Sequence, residues 1–163
     1  MQLVLRGYWR SSSSWRVRIA LNLKGLSYEN VPVHLVADGG QQHSDEHRAV
    51  NPMREVPVLL VEGEPIAQSM AILEFLEDLQ PDPALLPSTP LGRARVRQMA
   101  EVINSGIQPI QNLRVMQRLG REFGFEKSQQ QDWSRGWIDY GFEALHGLVT
   151  QYGGRYTYGD DIS

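Results

Sequence analysis

Short β-prone runs and helically spaced apolar residues alternate along the first 80 residues. Leu3-Val4-Leu5 is β-prone and stops at Gly7, which predicts a strand over residues 2–8. After four consecutive serines, Ser11 to Ser14, apolar residues recur at helical spacing as far as Lys24-Gly25, which is a stop signal. The serines are therefore predicted to lie at a helix N-terminus.

Two further strand regions and another helix follow. Residues 28–35 are predicted to form a strand, and Pro32 inside it favours the edge of a sheet. After a short helical stretch, residues 56–67 predict a hairpin of two short strands joined by a turn with glycine. We expect Ser69 to cap the helix that comes next, which ends at a pair of prolines.

The chain is predicted to contain two domains of different character. Residues 1–80 form a small α/β unit, and residues 81–90, with four prolines, form a stiff linker. Residues 91–163 are predicted to be all-helical. The last residues lead to Ser163, a capping serine with no helix after it, so we expect the C-terminus to be incomplete and to leave apolar helix faces exposed.

The helical half is predicted to hold two long helices. The first covers residues 91–119, with a kink at Gly106 and Pro109. The second covers residues 128–152, and its predicted apolar face consists of Trp133, Trp137, Ile138, Phe142, Leu145 and Val149, with the two tryptophans in the core.

Composition and charge exclude several functional classes. The chain has 163 residues and no cysteine, which excludes a disulfide framework, a CxxC redox pair and a cysteine nucleophile. With 16 basic and 19 acidic residues its formal charge is -3, so we expect no nucleic-acid partner and no membrane binding. His43 and His47 are four residues apart but have no third ligand, so no metal is predicted. The N-terminus lacks signal-peptide features, so we expect a cytoplasmic protein.

The serine run carries the strongest chemical signal. Its hydroxyls lie where a strand runs into a helix, and the N–H groups and dipole of a helix N-terminus stabilise an anion such as a thiolate. Capping alone explains one or two of the serines, but it does not explain why Arg10, Arg16 and Arg18 crowd the same turn. Anion binding and plain capping both remain open on these residues alone.

The segment Ser11-Ser12-Ser13-Ser14-Trp15-Arg16-Val17-Arg18-Ile19-Ala20-Leu21 resembles the signature of the zeta class of glutathione transferases, the maleylacetoacetate isomerases. Three more segments resemble that class in the same order: residues 51–57, 68–76 and 107–113. The resemblance runs from Leu3 to Ile162. It implies a thioredoxin-like N-terminal domain, an all-helical C-terminal domain, a homodimer, and glutathione as cofactor.

The resemblance implies roles for residues of the first half. Ser11 and Ser12 position and stabilise the glutathione thiolate, and Arg10 is a further catalytic candidate. Ser13 departs from the family, which usually has cysteine there, so a protein thiol cannot assist. The remaining residues implied to hold glutathione in this half are Ser13, Gln42, Val56, Pro57, Gln68 and Ser69, with a cis bond before Pro57 and a helix N-terminus at Ser69. Without the family, Val56-Pro57 would be an ordinary strand start.

The remaining roles concern the substrate. The resemblance places Asn112 and Arg114 on the first long helix, where the family lines its pocket, and Asn112 is also implied to contact glutathione. A dianionic substrate requires cations, so Arg10, Arg16 and Arg114 are candidate carboxylate partners, with Gln108 beside them. Each arginine could instead lie on a solvated helix face.

The activity implied is glutathione-dependent isomerisation of maleylacetoacetate, a dicarboxylic diketo acid, to fumarylacetoacetate in tyrosine and phenylalanine breakdown, together with glutathione transferase activity. The thiolate adds to the cis double bond, the bond rotates, and elimination leaves the trans isomer. One alternative is a maleylpyruvate isomerase, which carries a histidine near the position of Gln108. Another is a non-catalytic glutathione-binding domain, because such folds are reused without activity.

Overall fold

The computed structural model describes all 163 residues. They divide into two compact units, Met1–Leu85 and Leu86–Ser163.

The first unit is built on a four-stranded sheet. Its strands are β1 (Leu3–Gly7), β2 (Glu29–Pro32), β3 (Val58–Val61) and β4 (Glu64–Ala67), in the order β2-β1-β3-β4. β1 pairs parallel with β2 and antiparallel with β3, and β3 and β4 form the predicted hairpin. β2 is an edge strand as predicted, but it is shorter than the predicted residues 28–35. Pro32 does not interrupt its pairing with β1, because the Val33 N–H still donates to the Gly7 carbonyl oxygen at 2.7 Å.

Three helices accompany this sheet: α1 (Ser12–Leu23), α2 (Asp45–Val50) and α3 (Ser69–Leu79). Side chains alternate along β1, and its core-facing residues pack with the apolar faces of α1 and α3. This core buries Leu3, Leu5, Val17, Ala20, Leu21, Leu59, Ile72 and Leu76. The strand-helix-strand-hairpin-helix order confirms the predicted thioredoxin-like unit.

A buried ion pair that the sequence did not predict connects α1 to α3. Lys24 Nζ lies 2.8 Å from Glu77 Oε2 and also donates to the carbonyl oxygens of Gln80 and Pro83. Glu77 Oε2 accepts a second hydrogen bond from the Leu85 N–H. Lys24 and Glu77 thus hold residues 80–85, after α3, against the end of α1.

The second unit contains α4 (Pro90–Glu101), a π-helical segment (Val102–Ile107), α5 (Leu113–Phe123) and α6 (Lys127–Tyr152). The prediction of one kinked helix over residues 91–119 is wrong. The helical turns end near Pro109, which has no N–H for an intrahelical bond, and Asn112 caps a new helix.

The last helix agrees with its predicted span, but its apolar face is only partly buried. Trp133 and Trp137 are half-buried rather than core, and Phe142 is 52% exposed. The buried residue of this helix is instead Gly141, where an added Cβ would collide with the Ile107 side chain. No helix combines the length and apolar character needed to span a bilayer.

Candidate active site

Four loops of the first unit meet at one end of the sheet. β1 ends at Gly7, opposite Pro32 at the end of β2. Because β3 runs antiparallel to both β1 and β4, its first residue, Val58, lies at this same end and pairs with Ala67, the last residue of β4. The topology therefore gathers the serine loop, the loop after β2, the Val56-Pro57 corner and the start of α3 along one edge.

The serines at the start of α1 have distinct structural roles. Ser11 is the N-cap, and its Oγ accepts a hydrogen bond from the Ser14 N–H at 3.1 Å. Ser14 is fully buried, and its Oγ accepts from the Tyr8 N–H. Ser12 is exposed and Ser13 half-buried. Capping and loop packing therefore account for Ser11 and Ser14.

The electrostatics of this turn favour an anion. The first N–H groups of a helix have no intrahelical acceptor, and the macrodipole adds partial positive charge. No acidic residue lies in the first turn of α1 to offset it. A thiol placed at such a terminus has a lowered pKa and is more readily present as thiolate.

The start of α3 differs from the prediction. Gln68, not Ser69, occupies the N-cap position, with no capping bond from its side chain. Gln68 has φ +71°, a conformation that non-glycine residues seldom adopt and that tends to occur at functional sites. Ser69 is the first helical residue and is 4% exposed. The prediction that Ser69 caps the helix is thus wrong, while the predicted helix N-terminus at this place is confirmed.

Three arginines in α1 or just before it contact neighbouring segments of the site. Arg16 Nη1 donates to Ser69 Oγ at 2.9 Å, which brings the N-terminal turns of α1 and α3 together. Arg18 Nη2 donates to the Trp9 carbonyl oxygen at 3.4 Å, and the exposed Arg10 lies over the Trp9 ring, 5.7 Å from its centroid. Arg16 therefore adds a positive charge between two helix N-termini.

The Val56-Pro57 bond is cis, as the resemblance implied. Pro57 is buried and Val56 is half-buried. The backbone N–H and C=O of Val56 make no hydrogen bond within the chain. An unpaired extended residue beside β3 offers one donor and one acceptor to a peptide-like ligand, in the manner of an added strand.

Gln42 lies deeper than a surface-loop position would suggest. Its side chain is 7% exposed, and Nε2 donates to the Leu35 carbonyl oxygen at 3.2 Å and lies 3.1 Å from His43 Nε2. Its Oε1 is buried without a partner. Gln42 thus packs within its own loop, at the same end of the sheet as the serines.

The candidate residues of the second unit lie around the break between the π-helical segment and α5. Gln108 is half-buried where that segment ends. Asn112 is the N-cap of α5, and its Oδ1 accepts from the N–H of the exposed Arg114 at 3.2 Å. The expectation that Asn112 and Arg114 lie within one long helix is therefore wrong, because a new helix starts at Asn112.

Two buried polar residues, His47 and Asn51, contact the Val56-Pro57 corner, a contact that the sequence did not predict. His47 Nε2 and Asn51 Nδ2 each lie 2.9 Å from the Glu55 carbonyl oxygen. His47 is fully buried, and burial is the main reason that its pKa is lowered. On the exposed side of α2, the hydrogen bond from Arg6 lowers the pKa of Glu46. A histidine among polar residues gave no sequence signal of burial.

Comparison with known proteins agrees with this geometry. Residues 10–79 match the family model of the glutathione S-transferase N-terminal domain. The maleylacetoacetate isomerase of Rattus norvegicus is 49% identical over 160 residues, which cover 98% of this chain and 71% of the rat protein.

Two solved structures are also similar. One is the holo structure of a bacterial maleyl pyruvate isomerase, described as a zeta-class glutathione S-transferase, with a TM-score of 0.93 and 40% identity, covering 98% of this chain and 76% of that one. The other is the maleylacetoacetate isomerase of Anaeromyxobacter dehalogenans with bound glutathione, with a TM-score of 0.85 and 46% identity, covering 99% and 74%. The chain therefore belongs to the maleylacetoacetate isomerases, the glutathione-dependent zeta class of the glutathione transferases.

Proposed function

We propose that this chain converts maleylacetoacetate to fumarylacetoacetate at the sheet end described above, with glutathione as its cofactor. The single observation that carries the proposal is the juxtaposition of two helix N-termini, joined by the bond from Arg16 to Ser69, with the Val56 corner at the same end of the sheet. A tripeptide with two carboxylates and a thiol matches this set of groups.

The residues present fit glutathione along its length. The N–H groups at the start of α3 suit the γ-glutamyl carboxylate, next to Gln68 and Ser69. The free N–H and C=O of Val56 suit the backbone of the cysteinyl residue. The α1 N-terminus then faces the thiol. The resemblance also implies glutathione contacts for Gln42 and Asn112. These two contacts stay predictions.

When bound, glutathione supplies the thiolate that adds reversibly to the cis double bond, so that the bond rotates before elimination. The serines keep that sulfur charged and in place. Ser11 Oγ already accepts from the Ser14 N–H, so its own O–H proton is available to donate outward. Ser12 presents a second hydroxyl on the exposed side of the turn. Because the chain has no cysteine, Ser13 cannot provide a competing nucleophile or a thiol acid.

The substrate carries two carboxylates, and the candidate arginines differ in how accessible their guanidinium groups are for pairing with a carboxylate. Arg10 is exposed at the serine turn and is our preferred partner in the first unit. Arg16 already binds Ser69, so we assign it first to shaping the γ-glutamyl site. Gln108 and Arg114 of the second unit remain candidate substrate residues on the strength of the resemblance.

Maleylpyruvate is the second candidate substrate, because the similar bacterial structure with a TM-score of 0.93 is a maleyl pyruvate isomerase. Gln108, where that type carries histidine, favours maleylacetoacetate. We also propose that the protein works in the cytoplasm and as a homodimer, as family membership implies.

The experiment follows isomerisation of each substrate with and without glutathione, while glutathione binding is measured separately by calorimetry. We expect turnover of maleylacetoacetate that requires glutathione. Faster turnover of maleylpyruvate would assign the alternative substrate. Binding of glutathione with no turnover of either substrate would overturn the enzymatic proposal in favour of a binding domain.

A further inference from the structure

The Val56 corner has no regular secondary structure of its own to hold it. Residues 51–57 lie between α2 and β3, and neither helix nor sheet bonds fix the peptide before Val56. Two buried side chains hold it instead, since His47 Nε2 and Asn51 Nδ2 meet on the Glu55 carbonyl oxygen, each at 2.9 Å. Side chains nine-tenths buried thus converge on one backbone atom next to the proposed glutathione site.

Because the peptide bond is planar, the two hydrogen bonds to the Glu55 carbonyl oxygen also fix the direction of the Val56 N–H. The Glu55 C=O and the Val56 N–H belong to one peptide unit, and this unit is trans, because the cis bonds of the chain precede Pro57 and Pro83. In a planar trans peptide the N–H points opposite to the C=O. Holding the Glu55 oxygen toward His47 and Asn51 therefore aims the Val56 N–H away from them.

We propose that His47 is a positioning residue for glutathione, acting through the Glu55–Val56 peptide to aim the Val56 N–H at the cysteinyl carbonyl oxygen of the bound tripeptide. The inference rests on the proposed function and deepens it. Asn51 donates to the same carbonyl oxygen through Nδ2. Its Oδ1 also accepts a hydrogen bond from the Met53 N–H, so Asn51 stabilises the turn that follows it as well. The His47 ring, by contrast, makes its one hydrogen bond to the Glu55 carbonyl oxygen.

The chemistry of the ring supports this role. A carbonyl oxygen only accepts, so Nε2 carries the proton and Nδ1 does not, and Nδ1 is buried without a partner. A second proton on Nδ1 would place an unpaired charge in the interior. The charged groups nearest to the ring are Arg6 of β1 and Glu46 of α2, which bind each other at 2.6 Å. The neutral ring is thus the form that holds the corner.

The test compares two substitutions with a packing control. His47→Leu removes the donor and fills most of the volume, whereas His47→Gln places an amide donor near the former Nε2. Ile72→Val, in the core away from the corner, supplies a small stability loss without touching Glu55. For each protein, the dissociation constant of glutathione is measured by calorimetry, and KM and kcat are measured in the isomerase assay.

We expect His47→Leu to weaken glutathione binding about five- to tenfold, the effect of one misaligned hydrogen bond, with kcat at saturating glutathione changed less than about twofold. His47→Gln should restore affinity to within about twofold of the wild type, and Ile72→Val should leave it unchanged. Equal affinity of His47→Leu and wild type would overturn the inference, as would an equal loss in Ile72→Val. If the wild type fails to bind glutathione, the proposed function falls, and this inference falls with it.

Discussion

Two close ion pairs, one taken from each unit, differ in burial rather than in distance. In the first unit Lys24 Nζ lies 2.8 Å from Glu77, with side chains 0% and 8% exposed. In the second unit Arg118 Nε lies 2.7 Å from Glu122, with side chains 67% and 38% exposed. Water and salt screen the second pair, and burial shields the first. The first unit is therefore fixed by a few buried polar contacts whose loss is costly.

The same contrast exists within the site. Ser12 and Arg10 stand on the surface, where they can reach a ligand, whereas His47 and Asn51 are buried and hold the backbone that the ligand meets. Under the proposed function, the exposed groups contact the ligand and the buried groups hold the loop that the ligand meets.

The largest effect should come from Lys24→Met. The change leaves the Glu77 carboxylate buried without its cation and frees two carbonyl oxygens. Loss of one partner of a buried pair typically costs about 3–5 kcal/mol of unfolding free energy. Chemical denaturation followed by circular dichroism measures it. A loss below about 1 kcal/mol would show that this pair does not fasten the first unit.

Replacing the hydroxyls of Ser11 and Ser12 in the serine turn should have the next largest effect. We expect Ser11→Ala with Ser12→Ala to lower kcat/KM about a hundredfold, the usual cost of removing a donor that stabilises a reacting anion. Because Ser11 is also the N-cap, its removal should cost about 1 kcal/mol of stability as well. Ser11→Gly, which loses the hydroxyl but caps nearly as well, is the matched control and should lose activity without that stability loss. Activity kept in both proteins would remove the serines from the mechanism.

Stability should fall in mild acid because of His47. Burial lowers the folded pKa of this ring, so the unfolded chain takes up the proton at a higher pH than the folded chain does. Unfolding free energy must therefore decrease as pH drops below the ordinary histidine value of about 6.5, until the folded ring titrates too. Thermal melts of the wild type and His47→Gln between about pH 7 and pH 5 isolate this contribution. Parallel pH curves for the two proteins would contradict it.

The smallest effect should come from Arg118→Ala in the second unit. An exposed pair spaced i, i+4 contributes only about 0.3–0.5 kcal/mol, and added salt should erase the difference. Denaturation at low and high salt is the measurement. A loss comparable to that of Lys24→Met would break the contrast between the units.

The features that could be predicted from the sequence are local ones. The serine run before helically spaced apolar residues predicted α1 and its N-terminus, and the glycine between two short β-prone runs predicted the hairpin. Anion binding at the serine turn stays a prediction. The first of the two predicted long helices, over residues 91–119, was not predicted correctly. Gly106 and Pro109 are compatible with a kink or a break, and the sequence alone did not show that the turns end near Pro109 and a new helix starts at the N-cap Asn112.

The features that were missed depend on residues distant in sequence or on backbone geometry. Lys24 looked like a helix stop signal because its partner Glu77 lies 53 positions away. Ser69 looked like a cap because serine favours that position, but the bond from Arg16 holds its hydroxyl and leaves Gln68 at the cap. His47 was considered only as one of two histidines without a third metal ligand, because nothing in the sequence shows that the Glu55 carbonyl oxygen lies against its ring.

The most direct test of the central claim is the thiol pKa of bound glutathione, followed by the ultraviolet absorbance of the thiolate as pH is varied. A free cysteine thiol has a pKa of about 8.5. We predict a clearly lower value on the wild-type protein and a value near that of free glutathione on the Ser11→Ala, Ser12→Ala double variant. A bound thiol with the same pKa as free glutathione would contradict the claim that the α1 N-terminus stabilises the reacting thiolate.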